Sequence, residues 1–102
     1  MRPDLNRSRA DCQVAFACAR VGLGGEALHY AARGFFRTCE HEVAKWEQAF
    51  AHLAVSAAAH AADVSGVHRD HYDRAVEVWA QLSSENKTLF DVSLAVVSKP
   101  HA

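Results

Sequence analysis

The sequence predicts an all-α domain of about five helices, packed as antiparallel hairpins in a small bundle. Alanine, the residue with the highest helix propensity, is the most frequent type, and the chain contains only five glycines and two prolines. Residues that interrupt helices gather at positions 22–25, 63–66 and 83–86, which leaves segments of helical length between them. We predict helices over residues 5–21, 26–37, 39–63, 69–82 and 87–98.

The third predicted helix has the clearest amphipathic pattern. Its apolar residues recur at intervals of three and four, at Val43, Trp46, Phe50, Leu53 and Ala57. His41 and His52 project from the opposite side and are expected to face solvent. The fourth segment repeats the pattern with Tyr72, Ala75, Val76, Trp79 and Leu82. Trp46 and Trp79 are candidates for contacts with a partner, although core packing is the more common use of such residues.

The first, second and last segments carry weaker patterns. The first offers Cys12 and Phe16 to a core, and the second offers Leu28 and Phe35. The last segment is ambiguous, because its apolar residues fit both the alternation of a strand and the spacing of a helix. A single strand would have no partner in this chain, so we predict a helix there.

The alanine-rich tract Ala57–Ala62 predicts a feature of the packing. Small side chains allow a neighbouring helix to come close, so we expect a tight helix crossing at this tract. The substitution Ala57→Leu is then expected to overpack the crossing, at a cost of about 1–3 kcal/mol.

Length, charge and cysteine content narrow the classes of function. The chain is expected to form one domain over residues 1–102, frayed at about residues 1–4 and 98–102. A formal charge of -1 gives no electrostatic basis for binding nucleic acid, and no apolar run is long enough to cross a membrane. Cys12, Cys18 and Cys39 form no CxxC pair, which favours three reduced thiols and a cytoplasmic location.

The stretch Val14–Gly34 resembles one tetratricopeptide repeat, a helical hairpin with small residues where its two helices cross. Ala15 and Ala27 occupy the crossing positions, Gly22 the turn, and Gly34 the last small position. Residues 71–82 resemble the second helix of another such hairpin. Together the two matches cover about a third of the chain, and the resemblance implies a protein-binding module.

The same region also resembles the small helical nucleotide-associated (HEPN) domains, which share an alanine-rich hairpin. Nuclease members of that family carry an Arg followed by a His after four to six intervening residues, and no Arg in this sequence is followed by a His at that spacing. That resemblance therefore implies a non-catalytic domain.

A cluster of histidines surrounds the turn between the third and fourth helices. His60, His68 and His71, with the carboxylate of Asp63, form a possible ligand set for a divalent metal such as Zn. Their spacing matches no established metal motif, so the alternative is a polar turn whose imidazoles face water or cap backbone carbonyls.

No arrangement of residues predicts catalysis, because the chain lacks a GxSxG elbow, a Walker motif and a Cys–His signature. Arg33 and Arg37 lie one helical turn apart and are candidates for binding an acidic partner. We therefore expect a non-enzymatic helical module without a cofactor that binds protein, with a homodimer as the preferred form. The alternatives are a metal-binding bundle and a non-catalytic HEPN-like domain.

Overall fold

A computed structural model of the chain describes residues 3–41 and 43–100. Five helices form a compact bundle: α1 (Pro3–Arg20), α2 (Gly24–Cys39), α3 (Lys45–Ala61), α4 (Ser65–Trp79) and α5 (Ser84–Ala95). No strand occurs in the described ranges, so the predicted all-α class is confirmed and the ambiguous last segment is a helix. None of the helices within those ranges is long and apolar enough to cross a membrane.

The ends of the chain were expected to fray over residues 1–4 and 98–102. Residues 1, 2, 101 and 102 lie outside the described residues. Pro3 and Asp4 already belong to α1, because proline at the first helical position loses no hydrogen bond there. Residues 98–100 follow the end of α5 without regular structure.

Helices α1 and α3 end in the same kind of turn. Gly22 and Asp63 adopt left-handed backbone angles, with φ of 81° and 61°. The next amide then donates back across the turn, as Val64 does to the carbonyl of Ala59 at 2.8 Å. These turns reverse the chain, so that α2 packs against α1 and α4 packs against α3.

The start of α3 was predicted wrongly. Helix α2 continues to Cys39 and α3 begins only at Lys45, whereas one helix was expected from residue 39 onwards. Thr38 is held in α2 because its hydroxyl donates to the carbonyl of Gly34 and also meets the hydroxyl of Ser8 at 2.6 Å. No glycine or proline marks the break that follows, so composition did not reveal it.

Helix α3 is central, and it is buried on more than one side. Ala51, Ala54 and Ala58 pack towards α1 and α2, whereas Ala49 and Leu53 pack towards α4 and α5. More of the surface of α3 is therefore buried than the single expected apolar stripe predicts. His52, expected to face solvent, is half-buried because α2 and α4 cover that side of α3.

The alanine-rich tract does form a close crossing, with the start of α2. A Cβ atom added to Gly24 would lie 2.7 Å from the Cα atom of Ala62, and Ala58 and Ala59 are fully buried. Ala57 points elsewhere, because it lines an open groove beside α1 and α5. Overpacking is therefore expected when its neighbours in the tract are enlarged, and not for Ala57→Leu.

Candidate functional site

An open groove runs between α1 and α5 and has α3 as its floor. Its larger part is a cavity of about 440 Å³ lined mainly by apolar groups, among them Phe16, Ala17, Phe50, Ala57, Val96 and Val97. The rings of Phe16 and Phe50 lie with centroids 5.1 Å apart and form the centre of the floor. The polar residues Gln13, Arg20 and His60 lie at the rim of this part.

The groove continues towards the start of α3. A second cavity of about 260 Å³ is lined by Trp46, Leu89 and Phe90, and it shares Phe50 and Ser93 with the first. The two cavities therefore form one apolar channel along α5, which we call the α1–α5 groove. The apolar lining and the helical walls of this groove suit an amphipathic helix as occupant.

Helix α5 is fixed at its start and along one side. The hydroxyl of Ser83 accepts a hydrogen bond from the amide of Asn86 at 3.2 Å and so caps the helix. The indole N–H of Trp79 donates to Asp91 at 2.8 Å, and the ammonium of Lys87 lies 4.7 Å from the centre of the same indole. These contacts hold the α4 side of α5 and leave its opposite side open.

That open side of α5 is apolar. Leu89, Val92 and Val96 are 66%, 71% and 72% exposed, and they follow one another at intervals of three and four residues. Leu89 and Val96 also line the groove, so the exposed stripe and the groove form one surface. Folded domains rarely expose a continuous apolar surface of this kind.

The four residues predicted to bind a metal do not all come together. The rings of His60 and His68 lie 4.8 Å apart, and Asp63 lines the same cavity, of about 550 Å³. His68 is buried and its Nε2–H donates to the carbonyl of Ser98 at 2.7 Å. Nε2 of His68 is therefore engaged in a hydrogen bond, which leaves only its Nδ1 for a metal.

His71 faces a different partner. Its Nδ1 lies 2.9 Å from Nδ1 of His52, so one imidazole donates to the other, and the ring of Phe35 stands edge-on to both. Burial, with smaller contributions from His71 and Arg74, lowers the pKa of His52 to about 4. Burial also lowers the pKa of His71, against the opposing effect of Asp70. The pair is neutral at pH 7.

The split of the histidines into two pairs weakens the metal hypothesis. In the part of the chain that the structure describes, no three His, Cys, Asp or Glu side chains are placed to hold a metal ion. The cavity that contains His60 and Asp63 is also lined by Arg69 and Lys99, whose charges oppose a cation.

Arg33 and Arg37, predicted to bind a partner, face an internal carboxylate. Arg37 donates to Asp11 at 2.7 Å, and Arg33 lies 3.7 Å from the same carboxylate and over the ring of Tyr30. Asp11 is buried, so this network joins α2 to α1 and stabilises the hairpin. Beside it, burial and the charge of Asp11 raise the pKa of the Cys12 thiol to about 12, which makes this thiol inert.

Comparisons of this chain with models of protein families, with curated proteins and with solved structures give no match. The function of this chain is therefore inferred from the surface of the molecule itself.

The sequence pattern did not reveal the α1–α5 groove. Trp46, one of the two predicted contact residues, lines it and is 37% exposed. The stripe at Leu89, Val92 and Val96 has helical spacing in the sequence. It was not recognised because Phe90, Leu94 and Val97 give the same short helix a second apolar face.

Proposed function

We propose that this chain is a non-enzymatic helical module that binds protein through the α1–α5 groove. One observation carries the proposal: α5 leaves a stripe of three large apolar residues exposed at the edge of an apolar channel. Covering this surface with a partner helix would remove it from water, which is the main driving force of protein association. The arrangement matches the recognition mode in which an amphipathic helix lies in a groove.

The α1–α2 hairpin supports the proposal as a rigid wall of the groove. Ala15 and Ala27 have no exposed surface, and a left-handed turn lies at Gly22. A Cβ atom on Gly34 would lie 2.8 Å from the sulfur of Cys12, so the helices approach closely there. We propose that the hairpin is tetratricopeptide-like and that it holds α1 in place as a binding wall.

The proposal also covers the cellular compartment and the type of partner. Cys12, Cys18 and Cys39 are free thiols, which suits a reducing compartment, and we propose the cytoplasm. The balanced charge and the apolar character of the groove favour a protein partner over nucleic acid. Divalent metal binding, the alternative role, has less support because His71 faces His52, away from the other three predicted ligands.

Site-specific photo-cross-linking in the cells that naturally express the protein tests the proposal. A benzophenone amino acid replaces Leu89, which lines the groove, and in a control protein it replaces Val21, which is 72% exposed at the turn between α1 and α2. We expect a discrete protein adduct from the probe at position 89, whether the captured chain is a second copy or another protein. The probe at position 21 should give none.

Absence of any adduct at position 89 would contradict the proposal, as would equal capture from both positions. Circular dichroism on each purified variant checks that the probe leaves the bundle folded. The control at Val21 is matched to the groove position in exposure and in apolar character, so that surface hydrophobicity alone cannot account for a difference.

A further inference from the structure

We infer that the α1–α5 groove takes the α5 helix of a second copy of this chain, antiparallel to the first, in a two-fold symmetric dimer. The inference rests on the proposed function and names its partner. In such a dimer each α5 provides both a wall of one groove and the occupant of the other. A two-fold interface requires this self-complementarity, since the same surface must meet itself.

The apolar content of α5 fits a second copy. Leu89, Val92 and Val96 form a face spaced like the seam of a short coiled coil, and this face carries no charged residue between Glu85 and Lys99. The charged residues that follow Glu85 within α5, Lys87 and Asp91, are held on the opposite side by Trp79. Two stripes of this kind can therefore meet without burying an unpaired charge.

The charge at the start of the helix selects the antiparallel orientation. Glu85 lies in the first turn of α5, seven residues before Val92. An antiparallel pair centred on Val92 places each Glu85 near the end of the partner's α5, beyond Val96. A parallel pair would place the two Glu85 carboxylates together and align the two helix dipoles unfavourably.

The groove supplies the matching basic side chain at that end. Arg20 and His60 line the groove together with Val96 and Val97, near the position that the incoming Glu85 would occupy. The end of the groove near Trp46 and Leu89 has no basic residue among those that line it. The acidic end of a second α5 therefore fits only one end of the groove.

Sedimentation velocity and native mass spectrometry at about 100 µM protein test the dimer. We expect a dimer for the natural sequence and a monomer for Val92→Lys, which would place two charges at the symmetry axis. Val21→Lys, an equally exposed valine changed in the same way, should remain a dimer. Circular dichroism confirms that both variants keep their helices.

A charge exchange tests the orientation. Glu85→Lys alone and Arg20→Glu alone should each weaken the dimer about tenfold, because each places like charges together at two symmetry-related positions. The double variant should recover most of that loss. Glu85→Lys also removes an acid from the first turn of α5, and the double variant keeps that change, so its recovery reports on the pairing itself.

A monomeric natural protein would overturn the inference, as would a dimer that survives Val92→Lys. If the charge exchange fails to recover the dimer, the antiparallel arrangement is wrong. The results also separate the two proposals. A monomer whose position 89 captures a different protein leaves the proposed function standing. A dimer with no capture at position 89 would place the interface elsewhere and would contradict both the proposed function and the inferred dimer.

Discussion

The two sides of α3 are packed in opposite ways. Towards α1 and α2 the buried residues are nearly all alanines, with Cys12 and Val55 as the larger members of the cluster. Towards α4 and α5 they are mostly large, and the central members are Leu53, Leu82 and Phe90. The first side is closed by backbone contact where Gly24 meets Ala62, whereas the second leaves the α1–α5 groove open at its edge.

This difference shows how side-chain size determines the spacing of helices and the character of a surface. Small residues let the axes approach until backbone atoms meet, as they do where Gly24 lies against Ala62. Large residues hold the axes apart, and the space between them must be filled by further side chains or by a partner. The small-residue side therefore provides rigidity, and the large-residue side provides the binding surface that we propose.

The substitution Leu53→Ala should have the largest effect. Leu53 is fully buried and has the largest side chain of any fully buried residue in the described part of the chain. Its truncation leaves a cavity on the large-residue side, and we expect the free energy of unfolding to fall by about 2–5 kcal/mol. Chemical denaturation followed by circular dichroism measures this change. A loss below about 1 kcal/mol would mean that α4 and α5 are not packed on a true core.

A pair of identical substitutions compares the two sides directly. Ala31→Leu adds bulk to the closed side, where Ala31 has no exposed surface, and should lower the free energy of unfolding by about 1–3 kcal/mol. Ala57→Leu adds the same atoms to the floor of the groove and should change stability little. Denaturation curves of both variants measure the two changes in the free energy of unfolding. Equal losses would mean that the groove is closed in solution.

The Ala57 comparison also shows what the sequence could and could not predict. Helix number, the all-α class and most helix ends follow from alanine content and from the turns at Gly22 and Asp63, which are local features. The close crossing at the alanine tract was also predictable, because small residues have one obvious use in packing. Which alanine meets the crossing depends on helix rotation, and rotation is set by packing across the whole bundle.

The candidate sites depended even more on tertiary structure. Arg33 and Arg37 were predicted from their spacing on one helix, but Asp11 on another helix pairs with them. Likewise, His71 was grouped with His60 because both lie near one turn, but it faces His52 on α3 instead. Pairings between helices cannot be read from the periodicity of either helix alone.

The smallest effect that we predict concerns pH and the contact between α3 and α4. His52 and His71 join α3 to α4 beside Phe35 of α2, and burial lowers the pKa of both imidazoles in the folded protein. The unfolded chain therefore binds protons more readily, so acidification favours unfolding. For His52 the loss begins near its unfolded pKa of 6.5 and is complete near its folded pKa of about 4.

Because both rings are only half-buried, solvent screens part of this effect, and we expect a loss of about 1–2 kcal/mol from this pair between pH 7 and pH 4. Nearby charges oppose each other, since Asp70 favours the protonated form of His71 whereas Arg74 disfavours it. Denaturation curves at pH 7 and pH 4 measure the loss. The His52→Gln variant should lose less stability between these two pH values, because its remaining imidazole no longer faces another.

The exposed His29 provides the control for that measurement, and His29→Gln should follow the natural protein at both pH values. If His52→Gln and His29→Gln behave alike, the acid sensitivity comes from other groups. If only His52→Gln is protected, the pair controls how firmly α4 packs on α3. In that case acid would loosen the contact between α4 and α3 and leave the apolar contacts of α5 intact, which would show that α4 and α5 can be destabilised separately although both pack on the same side of α3.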